Sequence, residues 1–312
     1  MCFSLPPYNI LNLKEPEVQT SLDLIFFGVG IFLCIGLLVI PSLLVAFPVW
    51  SLRYNAIRQK QPHLVLLSCI CCLIWFIGSA ASNGLIRQPS KAYCVLFGIW
   101  GYYFGVSGWC SAVITRVICI FLTTQFHVKR KKIFPIFIWM TLMIPTVGLL
   151  TFASILPEYF TQYLPERQDC RVQFPLTVGI SCLTIFNLSI LFVLTICTCR
   201  TRKEFNESFA DILGIGLMIV VTMFLVGCWS IRLNYLVPIR LLNVFQSIFL
   251  GLYYFIAVEG FILFRLVTCQ FTWFQNWDER FKQNTAILWE EMHILSQIQI
   301  ERATLKKSFR GK

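Results

Sequence analysis

Apolar residues run along this chain in seven long stretches, separated by short polar segments. The uncharged runs cover 24–52, 64–86, 92–115, 133–157, 172–199, 212–231 and 241–258. A helix rises about 1.5 Å per residue, so about 20 apolar residues cross the hydrocarbon core. Six runs reach that length. The seventh does so only if Glu259 and Arg265 lie inside the span or at its edge. The pattern predicts an all-α fold, an integral membrane bundle of seven helices. An N-terminal segment (1–23) precedes the seven-helix domain (24–268), and a polar tail (269–312) follows it. The polar first segment is not read as a signal peptide, so the first helix is expected to target the chain.

Prolines and glycines refine the helices. Pro62, Pro135 and Pro175 stand where runs begin, a position that tolerates a missing N–H. Pro41, Pro48 and Pro145 lie within runs and are expected to bend the first and fourth helices. In the third run Gly98, Gly101, Gly105, Gly108 and Ala112 recur at three- and four-residue spacing, which places them on one face. Small residues let helix backbones approach closely in lipid. That makes the third helix the expected most enclosed one; pairing of two copies through the same stripe is a competing use. The inner loops are short, as in one compact antiparallel bundle. No inverted repeat is visible, which weakens a transporter assignment.

Charge sets the expected orientation. With the N-terminus outside, ten loop arginines and lysines fall on the inner side and seven on the outer side. The tail adds seven more to the inner set. Basic residues favour the cytoplasm, so the N-terminus is expected outside and the C-terminus inside. The net charge of +11 is then mainly a cytoplasmic-face property, a topology signal in contact with lipid headgroups. No basic domain stands apart from the membrane, which argues against nucleic-acid binding. The tail opens with Cys269 and then Phe271, Trp273, Phe274 and Trp277 among charges, as in a helix lying along the inner leaflet. Cys269 is a palmitoylation candidate or a plain interfacial cysteine.

Most of the fourteen cysteines lie within the runs as small packing residues: Cys34, Cys69, Cys71, Cys72, Cys110, Cys119, Cys182 and Cys228. Cys94 and Cys170 fall outside, on the oxidising side, and are the expected disulfide pair. Three ionisable residues lie in or at the edge of the runs: Arg116, Glu259 and Arg265. Arg116 and Glu259 sit at similar depth and are expected to pair as an inner-face contact, since isolated charges are costly there. Arg265 competes for Glu259, and snorkelling of both arginines to headgroups is the plain alternative. Trp100, Tyr103, Trp229, Asn234, Tyr235, Asn243 and Gln246 cluster toward the outer halves and form a candidate cavity for an external ligand; packing and the interfacial belt explain them equally well. The chain has no HExxH and no G-x-S-x-G, and its single intramembrane carboxylate lacks a partner for acid–base chemistry. The last run has no lysine for a retinal Schiff base. No enzyme, cofactor or metal is implied.

The architecture is similar to that of G-protein-coupled receptors, though not the rhodopsin-type branch. Thr115-Arg116-Val117 stands where that branch has acid-Arg-aromatic, and no Asn-Pro-x-x-Tyr follows in the seventh run. A closer likeness is carried by Ser51-Leu-Arg-Tyr-Asn-Ala-Ile-Arg-Gln-Lys, by Leu64-Val-Leu-Leu-Ser, and by Cys94-Val-Leu-Phe-Gly-Ile-Trp onward to Arg116. Across 51–125 the chain resembles the fungal and protist seven-helix receptors that often carry a regulator-of-G-protein-signalling domain. The 44-residue tail is too short for such a domain. The resemblance implies a plasma-membrane receptor for an unknown extracellular ligand, with a heterotrimeric G protein as partner. Its partner-facing residues would be Arg58, Lys60, Lys129, Arg130, Lys131, Lys132, Arg200, Arg202 and Lys203, with Arg116, Glu259 and Arg265 as the inner-face switch. A membrane scaffold or sorting protein and a small-solute transporter are the alternatives.

Overall fold

The computed structural model describes residues 21–47, 57, 61–86, 90–125, 134–164, 169–172, 174–198, eight positions between 214 and 224, 237–270 and four isolated positions beyond. Among them, six helices are long and apolar enough to cross a membrane: Leu22–Ala46, Pro62–Ser82, Lys91–Leu122, Phe134–Ile155, Val178–Ile196 and Leu241–Gly260. These match the first five predicted runs and the seventh. The sixth run, 212–231, lies largely outside the described residues; the positions described within it are helical. The chain is a multi-pass membrane protein and nearly all helical.

The first helix, α1 (21–46), begins at Ser21 and passes through a π-helical segment, Cys34–Val39, directly before Ile40–Ala46. Pro41 explains the irregularity, because it has no N–H to give to the ladder behind it. Pro48, expected to bend this helix, lies outside the described residues. It follows the helix end: Phe47, the residue before it, is extended with φ −56° and ψ 133°. Clash with the proline ring drives the preceding residue out of the α region. α2 (Pro62–Ser82) starts on Pro62, after Gln61 in the left-handed region with φ 54°. α4 (Phe134–Ile155) and α5 (Phe174–Thr198) carry Pro135 and Pro175 in second place, and α4 continues through Pro145.

The third helix, α3 (91–125), runs from Lys91 through a π-helical segment, Cys94–Phe104, into Gly105–Gln125. It outruns the uncharged stretch 92–115. Arg116 does not end the span, because it is wholly buried among other helices. α3 is also the most enclosed helix, 78% buried along its apolar window against 17% for α1. The glycine stripe is the reason. A Cβ at Gly101 would stand 3.1 Å from Cα of Gly78, and one at Gly105 would enter the backbone of Trp75. A Cβ at Gly108 would meet Cys71 Sγ at 2.8 Å. Gly98 is buried in the same segment. The stripe is therefore occupied by α2 of the same chain and is not free to join two copies.

The last described helix, α6 (237–267), comprises Val237–Phe255, a π-helical turn Ile256–Gly260 and Phe261–Val267. It packs along α2. The main core joins α1, α2, α3, α5 and α6 around Leu38, Phe76, Trp109, Leu188 and Val244. A smaller core joins Ile99 and Tyr103 of α3 to Leu150 of α4 and Ile180 of α5. Six of the cysteines expected to pack are buried, while Cys182 is exposed and faces outward from α5. Cys228 lies outside the described residues.

The fold is not purely α. Between α4 and α5 two short strands, β1 (Thr161–Leu164) and β2 (Asp169–Val172), pair antiparallel with Tyr163 opposite Cys170. β2 packs against the ends of α2 and α3. These four-residue strands sit in a polar loop and have no long apolar alternation to announce them.

Candidate functional site

The site is built at the end of the bundle away from the hairpin. Arg116 leaves α3 fully buried, and its guanidinium carbon lies 5.9 Å from the centre of the Tyr254 ring on α6. A desolvated arginine over an aromatic face gains about 2 kcal/mol. Tyr254 is itself edge-on to Trp109, at 6.0 Å, and Trp109 lies 6.3 Å from Trp75. An aromatic ladder thus runs from α2 through α3 to α6 and ends on the arginine.

Glu259 stands five residues beyond Tyr254 and is also fully buried. In a regular helix residues five apart diverge by roughly 140°. The π-helical turn 256–260, closed by i→i+5 bonds, is wider and brings the two closer to one face. Glu259 lies within electrostatic reach of Cys69 on α2. Cys69 Sγ is in turn 3.1 Å from Ser42 Oγ on α1, and both are buried. One buried polar region therefore draws on α1, α2, α3 and α6. Arg265, half-buried, donates from Nη1 to Gln270 Oε1 in the turn that ends α6.

At the hairpin end a second polar cluster ties α2 to α6. Ser79 Oγ donates to the Asn243 carbonyl at 3.0 Å, and Asn243 Nδ2 donates to Asn83 Oδ1 at 3.1 Å. Asn83 Nδ2 donates back to the Ser79 carbonyl at 2.8 Å. Asn243 is thus used for helix pairing. Gln246, one turn along, is buried. Trp100 and Tyr103 fall on another side of the bundle. Trp100 Nε1 donates to Ser154 Oγ of α4 at 2.8 Å, and Tyr103 is buried in the core shared by α3, α4 and α5. The expected ligand cavity therefore divides into two separate packing sites among the described residues. Trp229, Asn234 and Tyr235 lie outside them.

Cys94 is disulfide-bonded and buried at the start of the π-helical part of α3. Cys170 lies on β2, which packs against that same part of α3; its side chain is outside the described residues. The basic residues expected to face a partner, Arg58, Lys60, Lys129 to Lys132, Arg200, Arg202 and Lys203, all lie outside the described residues as well.

Sequence inspection missed Tyr254, Ser42 with Cys69, and the Ser79–Asn83 pair. Each is ordinary in isolation. The signal was available only for Tyr254, which lies near Glu259 on a run already marked. Among the described residues no three His, Cys, Asp or Glu side chains converge to hold a metal ion. No family model matches the chain, and no curated protein matches its sequence.

Proposed function

We propose that this protein is a seven-helix signalling receptor that passes an extracellular stimulus to a heterotrimeric G protein. The single observation that carries the proposal is the full burial of two opposite charges, one on α3 and one on α6. Arg116 and Glu259 are both 0% exposed, and Tyr254, beneath Arg116, is five residues from Glu259. Charges are costly inside a membrane protein and are kept where they form a functional contact. A contact between α3 and α6 near the inner face is suited to hold a resting state. A stimulus that favours its opening shifts the population toward a form with a cleft for the G protein.

The rest of the proposal follows the charge pattern. The 212–231 run supplies the further span, the N-terminus lies outside, and the basic loops face the cytoplasm at the plasma membrane. Cys94 pairs with Cys170: Cys94 is disulfide-bonded, and β2, which carries Cys170, packs against the π-helical part of α3. The hairpin is thereby tied over the outer mouth.

The decisive experiment measures nucleotide exchange on purified heterotrimeric G proteins, with the protein reconstituted in nanodiscs. Acceleration over empty nanodiscs, altered by Arg116→Ala, is expected. Absence of acceleration with every Gα class tested would remove the proposal. Partner binding without exchange would point to a scaffold, and solute flux in liposomes to a transporter.

A further inference from the structure

We propose that the face of α3 turned toward α4 and α5 is an internal hydration site, built to hold a short chain of water molecules. Ser107, Ser111 and Thr115 follow one another at four-residue spacing, so their hydroxyls share one face of the helix. They are 2%, 0% and 0% exposed, and none of the three hydroxyls has a hydrogen-bond partner among the described residues. This is not how hydroxyls behave elsewhere in the bundle. Thr141, Thr151, Ser154, Ser189 and Thr195 each donate to the carbonyl four residues back. That local bond is the usual refuge of a helical hydroxyl in an apolar setting.

The direction of the face follows from its neighbours. Gly105 and Gly108 abut α2, and Trp109 and Arg116 meet Tyr254 of α6. At 100° per residue the hydroxyl face points away from the α6 contact, toward the remaining partners of α3. Those are α4 and α5, which touch α3 extensively but each other little. Both bring buried polar groups: Thr146 on α4, and Thr184 and Asn187 on α5. Ile180 shares a core with Tyr103; counted from those two along each helix, Thr184 falls level with Ser107 and Asn187 near Ser111.

The chemistry selects the occupant. The lining is neutral, so it does not call for an ion. The hydroxyls are too enclosed for a lipid headgroup to reach. Water is small enough, and typically makes about three hydrogen bonds to buried groups of this kind. A hydrated seam lets α5 shift on α3 by exchanging water partners without repacking apolar side chains. The hydration stands independently of the signalling role proposed above.

X-ray radiolytic labelling in H2(18)O, on protein in nanodiscs, tests it. Met143 is the reporter: it is buried on α4, with its methyl 3.9 Å from where a Cβ at Gly108 would lie. Cys72, buried among Gly251 and Leu38, is the control. Rapid 18O uptake at Met143 is expected, falling several-fold in a Ser107→Ala, Ser111→Ala, Thr115→Val variant while Cys72 is unchanged. The same variant should melt at lower temperature, because its remaining waters lose partners. Equal Met143 labelling in variant and parent overturns the proposal. So does a raised melting temperature, the mark of hydroxyls that were merely unsatisfied. If the triple variant does not fold, Ser111→Ala alone is read by the same two measurements, with the same two overturning results.

Discussion

At the scale of single residues, the protein spends buried space on groups that lipid penalises. Arg116 is among the largest fully buried side chains of the described residues. Its stacking on Tyr254 makes two tests separable. Tyr254→Leu removes the ring face and should cost about 1–2 kcal/mol of thermal stability, by loss of the cation–π and edge-on contacts. For Arg116 and Glu259 a double-mutant cycle is the right instrument, since each single substitution leaves the other charge uncompensated. Combining Arg116→Glu with Glu259→Arg should restore part of the loss, with coupling of about 1 kcal/mol, the range of polar contacts within membranes. Strictly additive effects at normal surface expression would show that the two act independently. Glycines give a sharper contrast. Gly105→Ala forces a methyl into the Trp75 backbone and should destabilise by about 1–3 kcal/mol, whereas Gly148, with nothing within 4 Å of its added Cβ, should accept alanine at no cost or with a small gain. Unfolding followed in bicelles measures both.

At the scale of elements, the irregular segments have local causes and wider effects. The π-helical segment in α1 precedes Pro41, and that in α6 carries Glu259. π-bulges recur at functional sites because an extra residue re-aims the side chains around it. Deleting Ala257 from the α6 turn should restore a regular helix with Glu259 four residues beyond Tyr254, about 40° from it, so the buried face and the coupling to Arg116 should be kept in the double-mutant cycle. Loss of the coupling in the deletion variant would show that the wider turn itself sets the contact. The hairpin is the second element with a consequence. A Cys94–Cys170 bond closes a loop of roughly 75 residues and should add about 4 kcal/mol by chain entropy. Peptide mapping without reduction should recover the two as one cross-linked species; two free thiols from surface-delivered protein would exclude the pairing.

At the scale of the whole molecule, orientation is read by labelling from one side of the membrane. An impermeant thiol reagent applied to intact cells should not label a cysteine placed at position 130, on a background freed of native cysteines, but should label one placed at position 8. Labelling at position 130 from outside would reverse the topology and move the Arg116 region to the outer face. The nucleotide-exchange assay then asks the functional question on the same preparation.

The division between sequence and tertiary structure follows from what each level of physics needs. The spans were legible because hydrocarbon thickness imposes a minimum apolar length, and that requirement is local. Helix starts at Pro62, Pro135 and Pro175 were legible for the same reason, as was the glycine face of α3. Other features depended on partners far along the chain. Burial of Arg116 could not be read from 92–115, because it depends on Tyr254 arriving from α6. The end of α1 at Ala46 was hidden by apolar residues that continue past it, although the Phe47–Pro48 step held the cue. The use of Asn243 for helix pairing, and the separation of Trp100 from it, were decided by which helices became neighbours. Composition determined that this chain lives in a membrane; the packing of α2, α3 and α6 decided which of its polar residues meet there.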